Sequence, residues 1–423
     1  MAKVAVVGAG YVGLTTAACL AHLGHEVRCS DADAGRVERL ASGEVPIVED
    51  GLTELVREGL GASRLSFGRS NTWAVKGAAF SFVCVPTPQG DDGRADMSFI
   101  QAVATEVGPH LEPESVVVNK STVPVGSTKV VERSLGRPDV AVVSNPEFLR
   151  EGSAVHDFLH PDRIVIGADD ESTAIKVAGL FLRTSAPLVV TDPATAETIK
   201  YASNAFLATK VSFVNAVAAL CEAVGADVRQ VVLGMGSDPR IGSEFLRPGP
   251  GWGGSCFPKD TMALVRIAED AGYDFSLLKG VIAVNEEQYD RVAAKAERLA
   301  GGSLEGAKVA LWGLTFKART DDLRHSPSLE VAKRLRARGA TVQAYDPTVE
   351  RPVDGVDVRT DPYSACEGAK VLVVGTEWDE LRWLDFDKVG ALMEKRAVVD
   401  ARNLLEPATV RRAGFVYEAI GLR

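Results

Sequence analysis

Two kinds of hydrophobic run follow one another along this chain. Val4–Val7, Ala79–Val85, Ser115–Lys120, Val140–Val143 and Arg163–Gly167 are short, largely apolar and bounded by turn residues, and Glu26–Ser30 ends on Asp31. Such runs predict buried strands, and their alternation with helical stretches predicts a parallel, doubly wound sheet. From about Ala194 to Val224 the period changes. Ile199, Ala202, Phe206, Val211, Val214, Val217 and Leu220 recur three or four apart, with one step of five and no interrupting proline. At ~1.5 Å per residue this predicts a rod of about 45 Å, of the kind that bridges domains or forms a subunit interface. A second series opens at Lys308–Gly313, with a helix from Pro327 to Arg338 and strands at Thr341–Asp346, Lys370–Val374 and Arg396–Asp400. The expected fold is α/β, two Rossmann-like doubly wound domains joined by a long central helix, divided as 1–190, 191–300 and 301–423.

Composition narrows the partners. A chain of 423 residues with 46% hydrophobic content has enough material for several cores. A net charge of −10 argues against nucleic acid or an anionic membrane surface, which call for a basic face. An anionic ligand must then be met by local cations. Met1 leads straight into the first strand without a basic and apolar leader, and no run comes near the ~18 apolar residues of a membrane span. The expected location is cytoplasmic, with no membrane partner. Cys19, Cys29, Cys84, Cys221, Cys256 and Cys366 show neither paired nor zinc-type spacing, so no metal and no disulfide framework is expected. His156 and His160 straddle a stretch ahead of Pro161 that reads as a loop.

The chemistry begins at the first strand, where Gly8, Gly10, Tyr11, Val12 and Gly13 form GxGxxG between strand and helix. Gly8 makes the tight turn, Gly10 lets the backbone approach a pyrophosphate, Gly13 lets the helix pack closely, and the helix N-terminus faces the phosphates. Asp31 follows the second strand, where an acid can hold the ribose hydroxyls, so NAD is favoured over NADP. Arg36 keeps the other reading open, because an arginine there could meet a 2′-phosphate. A second feature is Gly253-Gly254-Ser255-Cys256-Phe257-Pro258-Lys259-Asp260. Pro258 marks a first helical turn, so the Cys256 sulfur would lie near a helix N-terminus that favours thiolate, although a merely packed thiol is the alternative. A thiol that captures an aldehyde as a thiohemiacetal allows a second hydride to leave, giving a thioester that water cleaves to an acid. Lys200 and Asn204 share one helix face, either solvated or part of a site. The second sheet lacks GxGxxG, which suits a mononucleotide, and Lys317, Arg319 and Arg324 would supply charge for its diphosphate.

GAGYVGL, CVPTP, KSTVPVGST, NPEFLREG, ETIKYASNAFLATKVSF, DPRIGSEFLRPGPGWGGSCFPKD and FKARTDDLRHSP occur in this order. Over nearly its whole length the chain thereby resembles the UDP-glucose/GDP-mannose dehydrogenase family, the nucleotide-sugar 6-dehydrogenases. The resemblance implies an N-terminal NAD domain, a central helical dimerisation domain and a C-terminal UDP-binding domain. It implies oxidation of UDP-glucose to UDP-glucuronate at C6, by two hydride transfers to NAD through a cysteine thiohemiacetal and thioester, in a homodimer or higher homo-oligomer. Carried over, Cys256 is the nucleophile, Asp260 the carboxylate beside it and the water, Lys200 and Asn204 the oxyanion donors, Glu147 the base for thioester hydrolysis, and Thr122 the residue ordering the water. Asp31, Arg36, Pro86, Thr87, Thr122 and Arg324 are implied for NAD. Phe148, Leu149, Arg150, Glu151, Lys200, Asn204, Arg247, Gly251, Gly253 and Lys317 are implied for the sugar nucleotide, with Arg240 reaching into the neighbouring subunit. Trp252 and His325 depart from the residues common at their positions, and Trp252 could alter packing over the sugar. A 6-dehydrogenase acting on GDP-mannose or a UDP-N-acetylhexosamine, or a non-catalytic binding protein, are the alternatives. Phe257 and Arg240-Ile241-Gly242 favour the UDP-glucose branch.

Overall fold

In the computed structural model, which describes residues 1–90 and 93–422, the apolar runs become the strands of two sheets. The first comprises β1 (Lys3–Val7), β2 (Glu26–Ser30), β3 (Leu65–Gly68), β4 (Phe80–Val83), β5 (Val116–Asn119), β6 (Ala141–Ser144), β7 (Ile164–Gly167) and β8 (Leu188–Thr191). Their spatial order is β3-β2-β1-β4-β5-β6-β7-β8. The sheet is not parallel throughout, because β7 runs antiparallel to β6, touching it at Ser144 and Gly167. β3 and β8 are additions to the sequence expectation. β3 is half-buried and β8 largely exposed at the sheet edges, so neither shows a continuous buried pattern.

The second sheet, β9 (Lys308–Trp312), β10 (Thr341–Tyr345), β11 (Asp357–Val358), β12 (Val371–Val374), β13 (Ala397–Asp400) and β14 (Val416–Ala419), repeats the arrangement as β11-β10-β9-β12-β13-β14. In both, the order reverses beside the first strand. That reversal opens a ligand crevice at the strands' C-terminal ends.

Period-two alternation assigns each strand's residues to opposite cores. Val4 and Val6 belong to one cluster and Ala5 and Val7 to another, while Val309 and Leu311 part from Ala310 and Trp312 in the same way. The chain divides into two compact units, Met1–Ser203 with Met262–Ala271, and Asn204–Thr261 with Gly272–Arg423. The central stretch expected at 191–300 has no core to itself. Ala218, Cys221, Val228, Tyr289 and Val292 share one cluster with Val309, Leu311 and Val371.

The long helix spans Pro193–Val224 and links the two units, and its apolar stripe is split, Val214 being buried and Val217 packed against a core while Phe206 and Leu220 are exposed. Glu197, Lys200, Asn204, Ser212 and Asn215 are buried, while Phe206 (65%), Phe213 (53%), Leu220 (58%) and Val224 (67%) stand exposed. The helix is also long and apolar enough to cross a membrane, with mean hydropathy 1.5 over an 18-residue window, so the expectation that no run comes near that limit is corrected. Burying a charge is costly unless it is paired or hydrogen-bonded. The inward charges and amides therefore need partners, and these are what build the site.

Candidate active site

The dinucleotide turn is set by close approaches that only glycine permits. Gly8 lies at φ +99°, and a Cβ there would meet the Cys84 carbonyl at 2.7 Å, while one on Gly13 would meet the Gly8 carbonyl at 1.9 Å. A Cβ on Gly10 would meet nothing within 4 Å, which leaves the backbone open to a phosphate. At the end of β2, Asp31 Oδ2 accepts from the Ala9 amide (2.8 Å) and from Arg36 (3.1 Å), and Oδ1 accepts from the Asp33 amide (2.9 Å). The carboxylate fixes the turn from below, and Arg36 is spent on it. Val12 is half-buried and Pro86 exposed. Thr87 donates to the Thr122 carbonyl at 2.8 Å, tying the segments that leave β4 and β5. The turn, the open glycine and the acid together fit a dinucleotide.

A buried ion pair lies in the same unit. β6 delivers Asn145-Pro146-Glu147, and Lys200 Nζ donates to Glu147 Oε1 (2.8 Å) and to the Glu147 carbonyl (2.7 Å). Both side chains are about 95% shielded, with exposures of 4% and 5%, so the solvated reading of Lys200 is excluded. The Leu149 amide holds the other carboxylate oxygen at 2.7 Å. Burial pushes Glu147 upward, but the Lys200 charge and hydrogen bond more than offset it and hold the carboxyl below its usual range. Phe148 is covered by the Arg163 guanidinium, 3.7 Å from its ring centre. Leu149 is half-buried. Arg150 is exposed and pairs with Asp157 at 2.6 Å, and Glu151 is half-buried.

The thiol is built into the second unit. Gly249 donates to Asn215 Oδ1 (2.9 Å) and accepts from Gln288 (2.7 Å). Trp252 is clasped by Asn285 and Tyr289, its indole donating to Ser212 at 2.8 Å. Buried and hydrogen-bonded inward, Trp252 belongs to the scaffold of this loop. Gly251, at φ +130°, lies against Tyr289, where a Cβ would come to 2.6 Å, and a Cβ on Gly253 would come within 1.9 Å of the His325 carbonyl. The loop therefore enters the helix Phe257–Asp270 along one path. The Cys256 carbonyl accepts from the Asp260 amide at 2.9 Å, so the cysteine caps the helix, where the dipole favours thiolate. Cys256 is half-exposed, whereas the other five cysteines are buried. Asp260 is fully buried and accepts from Asn204 (2.6 Å) and from Lys259 (2.6 Å).

The cations expected around a diphosphate, Lys317, Arg319 and Arg324, belong to this unit, as do Arg240 and Arg247, and Arg319 is exposed. Arg240 and Arg324 are exposed and pair with Asp238 and Asp322 at 2.6 and 2.7 Å, Arg247 is exposed, and Lys317 stands over the Phe316 ring. Asp346, the counterpart of Asp31, accepts from the Leu314 and Thr315 amides and from Trp378. Like Asp31, it fixes the turn that follows the first strand of its own sheet. Among the described residues no group of His, Cys, Asp or Glu could hold a metal ion. His156 lies in a short helix, Ala154–Leu159, instead of the expected loop.

Four residues escaped sequence reasoning. Lys120 and Asn145 lie inside quoted motifs at strand ends, and that position was the signal for them. Lys120 Nζ donates to Asn145 Oδ1 at 3.0 Å, and burial pulls the lysine down to about 8. Glu197 binds the Gly126 and Thr128 amides at 2.6 and 3.0 Å, and Glu49 had no signal at all.

Models of the UDP-glucose/GDP-mannose dehydrogenase family match the chain three times: its NAD binding domain over 2–184, its central domain over 194–287 and its UDP binding domain over 310–407. The chain is 46% identical to a UDP-glucose 6-dehydrogenase of Rhizobium meliloti, with 99% of each covered. It is 45% identical to one of Pseudomonas aeruginosa, over 99% of this chain and 97% of that one. Among solved structures, a UDP-glucose dehydrogenase from Pyrobaculum islandicum superposes with a TM-score of 0.93 at 39% identity, covering 100% of this chain and 98% of that one. A UDP-D-ManNAc dehydrogenase from Pyrococcus horikoshii gives 0.88 at 27% identity, covering 99% of each.

Proposed function

The chain belongs to the UDP-glucose/GDP-mannose dehydrogenase family, and from that premise we propose that it oxidises UDP-glucose to UDP-glucuronate with NAD, by covalent catalysis at Cys256. The observation that carries the mechanism is the one half-exposed cysteine, capping a helix one turn before a fully buried aspartate. Two molecules of NAD, bound in turn, would each accept one hydride, one for each oxidation. The Cys256 thiolate adds to the C6 aldehyde left by the first, giving a thiohemiacetal. Loss of the second hydride gives a thioester, and attack by water releases the carboxylate and restores the thiol.

The chain's own groups divide the remaining work. Lys200 supplies a fixed ammonium and Asn204, one helical turn on, an amide donor, both suited to an oxyanion on C6. Asp260 holds Asn204 at 2.6 Å and so orients that donor. Glu147, kept ionised by Lys200, accepts the proton of the hydrolytic water, which Thr122 orders. Phe148, Leu149, Arg150, Glu151, Arg247 and Lys317 hold the sugar nucleotide.

Two NADH should form per UDP-glucose consumed, and NADP should be a poor substitute because Asp31 repels a 2′-phosphate while Arg36 is already paired with it. Absorbance at the nicotinamide band against product quantified by chromatography checks this. A ratio of one, or preference for GDP-mannose, refutes it.

We also propose that a second copy covers the stripe Phe206, Phe213, Leu220 and Val224, which recurs every seven residues and then four along one exposed face. Arg240 would then complete the partner's site. Phe213→Asp should convert a dimer into a monomer of lower activity by light scattering at assay concentration, whereas a fully active natural monomer, or detergent-dependent solubility, contradicts the assignment.

A further inference from the structure

Glu49 belongs to neither motif, yet it joins the two of them. It lies on the segment between the second helix of the chain and Leu52, and it is buried at 8% exposure. A carboxylate withdrawn from water needs donors, and three converge on this one. The Tyr11 hydroxyl and the Gly152 amide (2.6 Å) donate to Oε2, and the Ala154 amide donates to Oε1 at 2.6 Å. The Gly152 amide also donates to the Tyr11 hydroxyl at 2.9 Å.

The positions of the donors give these contacts their meaning. Tyr11 is the first residue of the helix that follows Gly8-Ala9-Gly10, so its ring moves with the turn that faces the pyrophosphate. Gly152 directly follows Phe148–Glu151, and Arg150 is pinned to Asp157 on the short helix that Ala154 opens. Burial, and then the hydrogen bond to Glu49, push the Tyr11 hydroxyl well above its ordinary range, so it remains a donor across the working pH.

We infer that Glu49 is a positioning residue that ties the dinucleotide turn to the sugar-nucleotide segment, so that filling either one tightens the binding of the other. This rests on the proposed role of Phe148–Glu151 in holding the sugar nucleotide. A turn stiffened by dinucleotide holds Tyr11, Tyr11 holds the carboxylate, and the carboxylate holds the backbone at 152 and 154. Linkage makes the effect reciprocal.

The test is calorimetric and needs no turnover, because UDP-glucose and NADH do not react. Kd for UDP-glucose is measured on the full chain with and without saturating NADH, in the natural protein, Tyr11→Phe, Glu49→Gln and the double variant. In the natural protein NADH should tighten UDP-glucose by about fivefold or more, within the range usual for coupled sites. In both single variants that ratio should fall to within about twofold of one, with no further fall in the double variant, as expected of residues acting as one unit. A purely structural staple would lower both affinities and leave the ratio unchanged, which overturns the inference. So does a natural protein without coupling. If UDP-glucose does not bind the natural protein at all, the substrate reading fails and this inference with it.

Discussion

Cys256→Ser should abolish steady turnover, by at least ~10²-fold, and leave a covalent adduct of the substrate's acyl mass on the protein. The serine hydroxyl stays at the cap of the helix Phe257–Asp270 and preserves the geometry of the first oxidation. Its acyl ester is far less readily hydrolysed than a thioester, so the reaction stalls after the second oxidation. Intact-protein mass spectrometry after incubation with UDP-glucose and NAD reads the adduct, and single-turnover absorbance reads the NADH formed before the stall. Near-normal turnover would make Cys256 a packing residue.

Lys200→Ala should be costly twice over. Loss of one preorganised oxyanion donor typically lowers the rate by ~10²–10³. Removing one partner of a buried ion pair also strands the other, at about 3–5 kcal/mol, and Glu147 is 5% exposed with Lys200 as its ion-pair partner. The two losses separate by pH. In the natural protein Glu147 titrates below the usual carboxylate range, so its contribution to stability is present at neutral pH and is lost as pH falls through its folded value. Without Lys200, burial raises Glu147 against the weaker opposition of the Leu149 amide and the Lys120 charge. The stability deficit of Lys200→Ala should then be largest at neutral pH and shrink as pH falls and the carboxyl takes up a proton. Urea unfolding at neutral and at acid pH measures it. Glu147→Gln in the Lys200→Ala background should restore stability at neutral pH without restoring rate. A deficit independent of pH would show that Glu147 does not depend on Lys200 for its charge, and a loss confined to UDP-glucose affinity would remove Lys200 from the oxyanion role.

Local chemistry is what the sequence by itself determined. Gly8, Gly10 and Gly13 are legible because each answers a constraint within one strand–turn–helix, and Asp31 because it ends the adjacent strand. Cys256 is legible because glycines, Pro258 and Asp260 mark a helix start, and the central helix because its period, but for one step, runs along it without an interrupting proline. Tertiary structure decided what periodicity cannot carry, namely which face of that helix turns inward. Of the apolar stripe the fold buries Val214 but exposes Phe206 and Leu220, and it also buries Lys200 and Asn204, whose partners Glu147 and Asp260 lie 53 and 56 residues away. The direction of β7, the shared core of the central and C-terminal stretches, and Glu49, 103 residues from Gly152, were undetermined for the same reason. A buried polar group is stabilised by its partner, and the chain between them carries no local mark of the pairing.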